Sequence, residues 1–218
     1  MLALIQDSSQ QVVATQTVWE FLLAGGYIMI PIAICSVVVL TLAMERWLHL
    51  RSECVVPPEI DTAIELLAAG DHEAASAAAK ELDAPAGRIL IAGINRRGRG
   101  IEHVERAMED QGGKEVEKLR GNIRPLQLIA SIAPLLGLLG TVMGIQDAFA
   151  LIVKAGMGKP EHLAGGIEEA LVTTIAGLVV AIPALLIAAH LNTKVRQLMI
   201  ETDEKLTPAV DLLVPNAS

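Results

Sequence analysis

Three uncharged apolar runs, each long enough to cross a bilayer, constrain this chain more than any other feature. A membrane-spanning helix needs roughly 20 mostly apolar residues. The first run extends from Phe21 to Met44 and is closed by Glu45-Arg46. The second extends from Pro125 to Gln146, and the third from Ala170 to Thr193, interrupted only by His190. The Ala-rich stretch at Ala74–Ala79 is short and flanked by Asp71, Glu73, Lys80 and Glu81, so it reads as a helix in water. Composition agrees: 52% of the residues are apolar and 19% charged, against about 25% charged in an ordinary soluble domain. Such a chain is too apolar for intrinsic disorder. Two cysteines, Cys35 and Cys54, cannot make a disulfide scaffold. A net charge of −8 argues against nucleic acid as a partner.

The cations give the orientation. Twelve Lys and Arg lie from Arg46 to Arg124, and three more (Lys194, Arg196, Lys205) follow the third run. The connection between the second and third runs holds Lys154 and Lys159, and no cation precedes Arg46. By the positive-inside rule the segments with 15 of the 17 cations face the cytoplasm. The expected organisation is therefore an outer N-terminal tail (1–20), spans at 21–44, 125–146 and 165–193, a short outer loop (147–164), a cytoplasmic helical domain (45–124) and a cytoplasmic C-terminal tail (194–218). A cleaved signal peptide is not expected, because the first run has no basic residues before it and follows Asp7.

The middle segment reads as helices throughout, and these helices, with the extended inner ends of the second and third spans, are expected to form a cytoplasmic helical bundle below the membrane. Pro57-Pro58 opens one, Gly70-Asp71 breaks and restarts it, and Ala84-Pro85 and Gly98–Gly100 interrupt again. From Ile101 the positions Ile101, Val104, Ala107 and Met108 recur at helical spacing, and this helix is expected to run through Gly112-Gly113 toward Arg124.

Chemistry can reside in two of the runs. The second carries Gly140 and Gly144 in a GxxxG, extended by Gly137, the pattern of a close helix-packing seam. Thr141 lies on it, a hydroxyl that its own preceding turn can satisfy. The third opens with Glu168 and Glu169. A charged carboxylate at the bilayer centre costs about 2.5–3.5 kcal/mol on insertion scales, so one retained there requires a reason. The bland alternative is that both sit at the interface as first-turn charges favoured by the helix dipole. Helical steps separate them. The Glu169 face holds Gly166, Thr173, Ala176, Gly177 and Val180, small or polar. The Glu168 face holds Leu171, Val172, Ile175, Leu178, Val179 and Ile182, bulky and apolar. Glu169 therefore points to a close helix contact or a watery lumen, where a carboxyl that gains and loses a proton suits a relay. Glu168 points to packing or headgroups.

The strings APLLGLLGTVMGI (Ala133–Ile145) and GGIEEALVTTIAGLVVAIPAL (Gly165–Leu185), together with the first span GGYIMIPIAICSVVVLTLAMERWLHLR, resemble the ExbB/TolQ/MotA family of proton-channel motor subunits, and ExbB-type members most of all. The resemblance covers all three spans. The three-span, N-out order is that of ExbB and TolQ; MotA has four spans. It implies an all-α membrane protein of the bacterial inner membrane, N-terminus periplasmic and C-terminus cytoplasmic. Such a subunit forms a homopentamer around ExbD-like single-span subunits that bear a pore aspartate. It works with a TonB-like energy-transducing protein to harness the proton motive force for transport across the outer membrane. A TolQ-like role in envelope maintenance and a non-conducting scaffold are the alternatives. The carried ion is H⁺, and no cofactor or enzymatic activity is implied.

Residue by residue, the family's pore glutamate falls on Glu169 and its pore threonines on Thr141 and Thr174, whereas helical faces favour Thr173 beside Glu169. Glu168 departs from the small or hydroxyl-bearing residue usual there, and is either a pore-mouth cation collector or a headgroup-facing charge. Ala188-Ala189-His190 stands where an ExbB often has Tyr-Asn. The five histidines are scattered without metal-ligand spacing, and no Ser-His-Asp set, phosphate loop or H-E-x-x-H occurs. The Arg96-Arg97-Gly98-Arg99 cluster fits either topology alone or contact with membrane lipids or a partner.

Overall fold

The structure is a computed structural model that describes residues 25–121, 123–155 and 160–214. The expected N-terminal tail (1–20) and the residues between Ala155 and Pro160 lie outside the described residues. Every regular element among the described residues is helical. A single 3₁₀ turn at Gly26–Ile28 leads into α1 (Met29–His49). Then follow α2 (Ser52–Val55), α3 (Ile60–Ala68), α4 (His72–Glu81), α5 (Pro85–Ile94) and α6 (Ile101–Gly121). Two long helices complete the chain, α7 (Arg124–Ala155) and α8 (Pro160–Leu213). The stretches Gly26–His49, Ile101–Val153 and Ala164–Leu213 contain segments long and apolar enough to cross a membrane.

The chain divides into two units whose boundaries cut through the long helices. One comprises the segments up to Val38 and from Ile129 to Pro183; the other comprises Val39–Leu128 and the segment from Ala184 onward. In the first unit, Ala133, Ala148, Ala170, Thr173 and Ala176 are buried, whereas Leu135, Leu138, Val142, Leu171 and Val179 are exposed. Along α7 and α8 small residues thus make up most of the inward face, joined by Val172 and by Met29 and Ile32 of α1, while most large apolar residues point outward. In lipid this is the stable arrangement, because no hydrophobic force drives Leu off the acyl chains and close backbone approach supplies the packing.

The second unit has a core richer in large side chains. Ile60, Leu67, Leu90, Val104, Leu198 and Leu206 are buried almost completely. Punctuation in the sequence sets its short helices. Gly70 at φ +82° ends α3, and the Asp71 side chain accepts the Ala74 N–H at 3.0 Å to cap α4. Pro85 starts α5 at the position where its missing N–H costs nothing. Gly98 and Gly100, at φ +74° and +96°, turn the chain between α5 and α6. Ala75 and Ala79 let α4 lie so close to α5 that a Cβ on Gly87 would strike the Ala79 carbonyl.

One polar knot sits in this unit. Arg88 donates to both carboxylate oxygens of Glu115 at 2.8 Å and to the carbonyl and carboxylate of Asp83 at 3.0 Å. Gln111 donates to Glu115 at 2.9 Å. Glu115 is only 3% exposed. The Arg88 hydrogen bonds outweigh burial and hold its carboxyl below the ordinary glutamate range, while Glu115 raises Arg88 in turn.

One expected loop departs from its sequence-derived reading. Helix covers 147–155 and resumes at Pro160, so most of the segment expected as an outer loop (147–164) is helical. An apolar run marks where a helix must be in lipid, but no proline or glycine pair directly follows Gln146 to stop α7 where the run stops. The inner end of the third span, expected to extend below the membrane with the cytoplasmic helices, continues α8 without a break to Leu213.

Candidate functional site

The site lies in the first unit, where α7 meets the start of α8. Small residues draw the two backbones together. A Cβ on Gly137 would stand 2.9 Å from the Thr173 carbonyl oxygen, and one on Gly144 2.9 Å from that of Gly166. A Cβ on Gly140 would come within 2.5 Å of the Thr173 hydroxyl, and one on Gly177 within 2.5 Å of the Ala133 carbonyl. Gly166 answers from α8, since its own Cβ would reach the Ala148 methyl at 2.5 Å. Backbone thus meets backbone at Gly137, Gly144 and Gly177, and a small side chain at Gly140 and Gly166.

Three threonine hydroxyls are gathered there. The Thr141 Oγ1 reaches the carbonyls of Ala170 at 3.1 Å and of its own preceding turn, Gly137, at 3.2 Å. It is also hydrogen-bonded to the Thr174 hydroxyl. Thr174 Oγ1 lies 3.3 Å from the Gly137 carbonyl. Thr173 donates to Ala170 at 2.9 Å and is 1% exposed. A hydroxyl both donates and accepts, so Thr141 and Thr174, each half-buried, form a bonded pair open on one side. Thr173, the threonine that spacing sets beside Glu169, is instead enclosed within the seam and bonded to its own helix.

Glu169 is half-buried and Glu168 is exposed. The Glu169 carboxylate lies over Gly26, so closely that a Cβ on Gly26 would collide with it. Gly26 has φ +59°, a left-handed conformation that glycine adopts without penalty. Among the described residues no hydrogen bond or ion pair engages the Glu169 carboxylate, while Glu168 has an interaction of its own. The threonine pair lies below it, since five residues of helix place Thr174 about 7.5 Å further along the axis. The site therefore comprises a carboxylate without a fixed partner, a glycine that makes room for it, and a hydroxyl pair about one and a half turns away.

Gly26 is a residue that helical spacing does not reveal. Its only signal is the Gly25-Gly26 pair near the start of the first apolar run. No group of three His, Cys, Asp or Glu side chains is placed to hold a metal ion among the described residues.

The profile of a single family, described as the MotA/TolQ/ExbB proton channel family, matches residues 81–204. This range takes in the polar knot, the glycine seam and the carboxylate, and it is more than half of the chain. The chain belongs to the MotA/TolQ/ExbB proton channel family. An ExbB-like biopolymer transport protein of Synechocystis sp. is 38% identical over 176 residues, covering 77% of this chain and 67% of its own length. A second ExbB-like protein of that organism is 30% identical over 173 residues, covering 76% of this chain and 80% of its own. The Tol-Pal system protein TolQ of Haemophilus influenzae is 38% identical over 95 residues, 44% of this chain and 42% of TolQ. Within the MotA/TolQ/ExbB family this chain resembles the ExbB-like proteins over the greater part of its length. It is thus a multi-helix membrane protein of a family of proton-channel subunits.

Proposed function

We propose that this chain is the ExbB-type subunit of an inner-membrane motor that uses the proton motive force to energise TonB-dependent transport across the outer membrane. The observation that carries this reading is Glu169. It is a carboxylate at the head of the apolar stretch of α8, given room by Gly26 and left without a fixed partner by the described residues. A carboxylate held only for structure would be expected in an ion pair or hydrogen bond, as Glu115 is. One left uncommitted at membrane depth is suited to exchange protons. In this reading Glu169 takes up and releases the proton, and Thr141 and Thr174 supply the hydroxyls along the passage. Thr173 belongs to the packing seam with Gly137, Gly140, Gly144 and Gly177. Glu168 is an interfacial charge at the pore mouth.

A lumen requires several copies. The exposed faces at Leu135, Leu138, Leu171 and Val179 are the surfaces through which copies would meet lipid or each other. The assembly in this reading is a homopentamer that encloses ExbD-like single-span subunits, with the N-terminus periplasmic and the C-terminus cytoplasmic. Proton passage then involves both Glu169 and the partner's pore aspartate.

The deciding experiment is growth driven by the intact system in cells that carry Glu169→Gln or Glu168→Gln, with assembly checked on a native gel. Loss of function in Glu169→Gln alone, with assembly retained, is expected. Full function in Glu169→Gln would reduce the chain to a helical scaffold. The similarity to TolQ favours one second reading, a TolQ-type motor for envelope maintenance. Co-purification separates the two, because a TonB-like partner supports the first and a TolA-like partner the second.

A further inference from the structure

A cleft of about 600 Å³ in the second unit lies where α1 ends and α8 turns polar. Its walls include Trp47, Arg51, Glu53, His190 and Lys194, over a floor that contains the buried Leu191. The Trp47 indole and His190 imidazole stack with centroids 6.3 Å apart and planes 22° apart. Trp47 is nevertheless 70% exposed. Arg51 and Lys194 form no ion pair with any described residue, in contrast to Arg88 and Lys205. Among the lining residues these two cations face one carboxylate, Glu53; the Glu201 carboxylate just outside is engaged by the lining Ser52 hydroxyl, which donates to it at 2.9 Å.

Its depth is set by the sequence. Trp47 follows the last residue of the first apolar run, Met44, by three positions, and Lys194 is the first charge after the third run. The Trp47–His190 stack fixes those two ends at one level. An indole with an apolar body and a polar N–H favours the membrane–water interface, and a guanidinium and an ammonium bind phosphate oxygens by charge-assisted hydrogen bonds. Toward the apolar runs, α1 and α8 expose Met44 (73%) and Leu186 (65%), surfaces suited to acyl chains. We propose that this cleft is a binding site for the headgroup of an anionic phospholipid, its phosphate held by Arg51 and Lys194 beside the Trp47–His190 stack. The inference needs the chain only to span a membrane, and does not depend on ion conduction.

The test uses the full-length assembled protein in vesicles of equimolar phosphatidylglycerol and phosphatidylcholine. The protein is re-extracted in mild detergent and its retained lipids are counted by native mass spectrometry. A cation near an anionic headgroup contributes roughly a fivefold preference, so the wild type should retain phosphatidylglycerol at least about fivefold over phosphatidylcholine. Arg51→Ala/Lys194→Ala should bring retention to parity, Arg51→Lys/Lys194→Arg should preserve the preference, and Lys80→Ala/Arg106→Ala, exposed and outside the cleft, should leave it intact. No preference in the wild type, or an undiminished one in the double alanine variant, overturns the proposal.

A second arm identifies the source of the phosphate. The chain has two tryptophans, so Trp19→Phe leaves Trp47 as the only indole. Headgroup-proximal brominated phosphatidylglycerol should quench its emission. A response to inorganic phosphate without quenching by that lipid overturns the lipid in favour of a soluble phosphate. If the double alanine variant does not assemble, this arm decides alone, and absence of quenching overturns the proposal.

Discussion

Gly26 bears two constraints at once, a left-handed backbone at φ +59° and a Cβ position occupied by the Glu169 carboxylate. An alanine there costs about 1–2 kcal/mol for its backbone alone and also displaces the carboxylate. Gly26→Ala is therefore expected to reduce energised transport several-fold at normal expression. Gly165→Ala, where a Cβ meets nothing within 4 Å, should be silent; growth under transport limitation, normalised to protein level, checks both. Glu115 makes a different prediction. Its carboxyl is held below the ordinary range by Arg88, so the folded state gains stability from it wherever an unfolded glutamate would be ionised. That gain is complete at neutral pH and is lost as pH falls through the lowered folded value. Glu115→Gln should cost about 3 kcal/mol at neutral pH and flatten the acid limb of the stability profile, as measured by thermal unfolding from pH 7 downward.

At the scale of elements, the seam between α7 and α8 depends on glycines that bring backbone against backbone. Gly140→Val would drive two methyl groups into Thr173, which is buried and cannot yield. Overpacking of this kind costs roughly 1–3 kcal/mol, and the melting temperature of the purified protein should fall accordingly. Gly113→Ala, with nothing within 4 Å of its Cβ, should instead hold or raise it. The short helices were legible because their punctuation is local: Gly70, Asp71, Pro85, Gly98 and Gly100 act within a turn of themselves. The outer end of α7 was not, because an apolar run reports the extent of lipid contact. A helix that leaves the bilayer continues for as long as its residues tolerate the helical backbone.

For the whole molecule, the outward leucines and valines of the first unit decide what a single chain can do. Such a surface is satisfied by lipid or by further copies, and two spans packed on a glycine seam leave no lumen of their own. Light scattering on the detergent-solubilised complex, corrected for detergent, is expected to give five copies of this chain. A monomer under conditions that preserve function would remove the pore on which the proposed role of Glu169 depends.

The three apolar stretches and the different helical faces of Glu168 and Glu169 were legible in sequence alone, because bilayer thickness and helical period act on neighbours along the chain. A run of about 20 apolar residues has the same length requirement whatever packs against it. Only the tertiary structure showed that Thr173 is enclosed while Thr141 pairs with Thr174. The same holds for Gly26 beneath Glu169, for the Arg88–Glu115 pair and for the Trp47–His190 cleft. Each of these joins residues from different helices. Their proximity depends on how the helices cross, and crossing is set by the sum of many small contacts that no local pattern encodes.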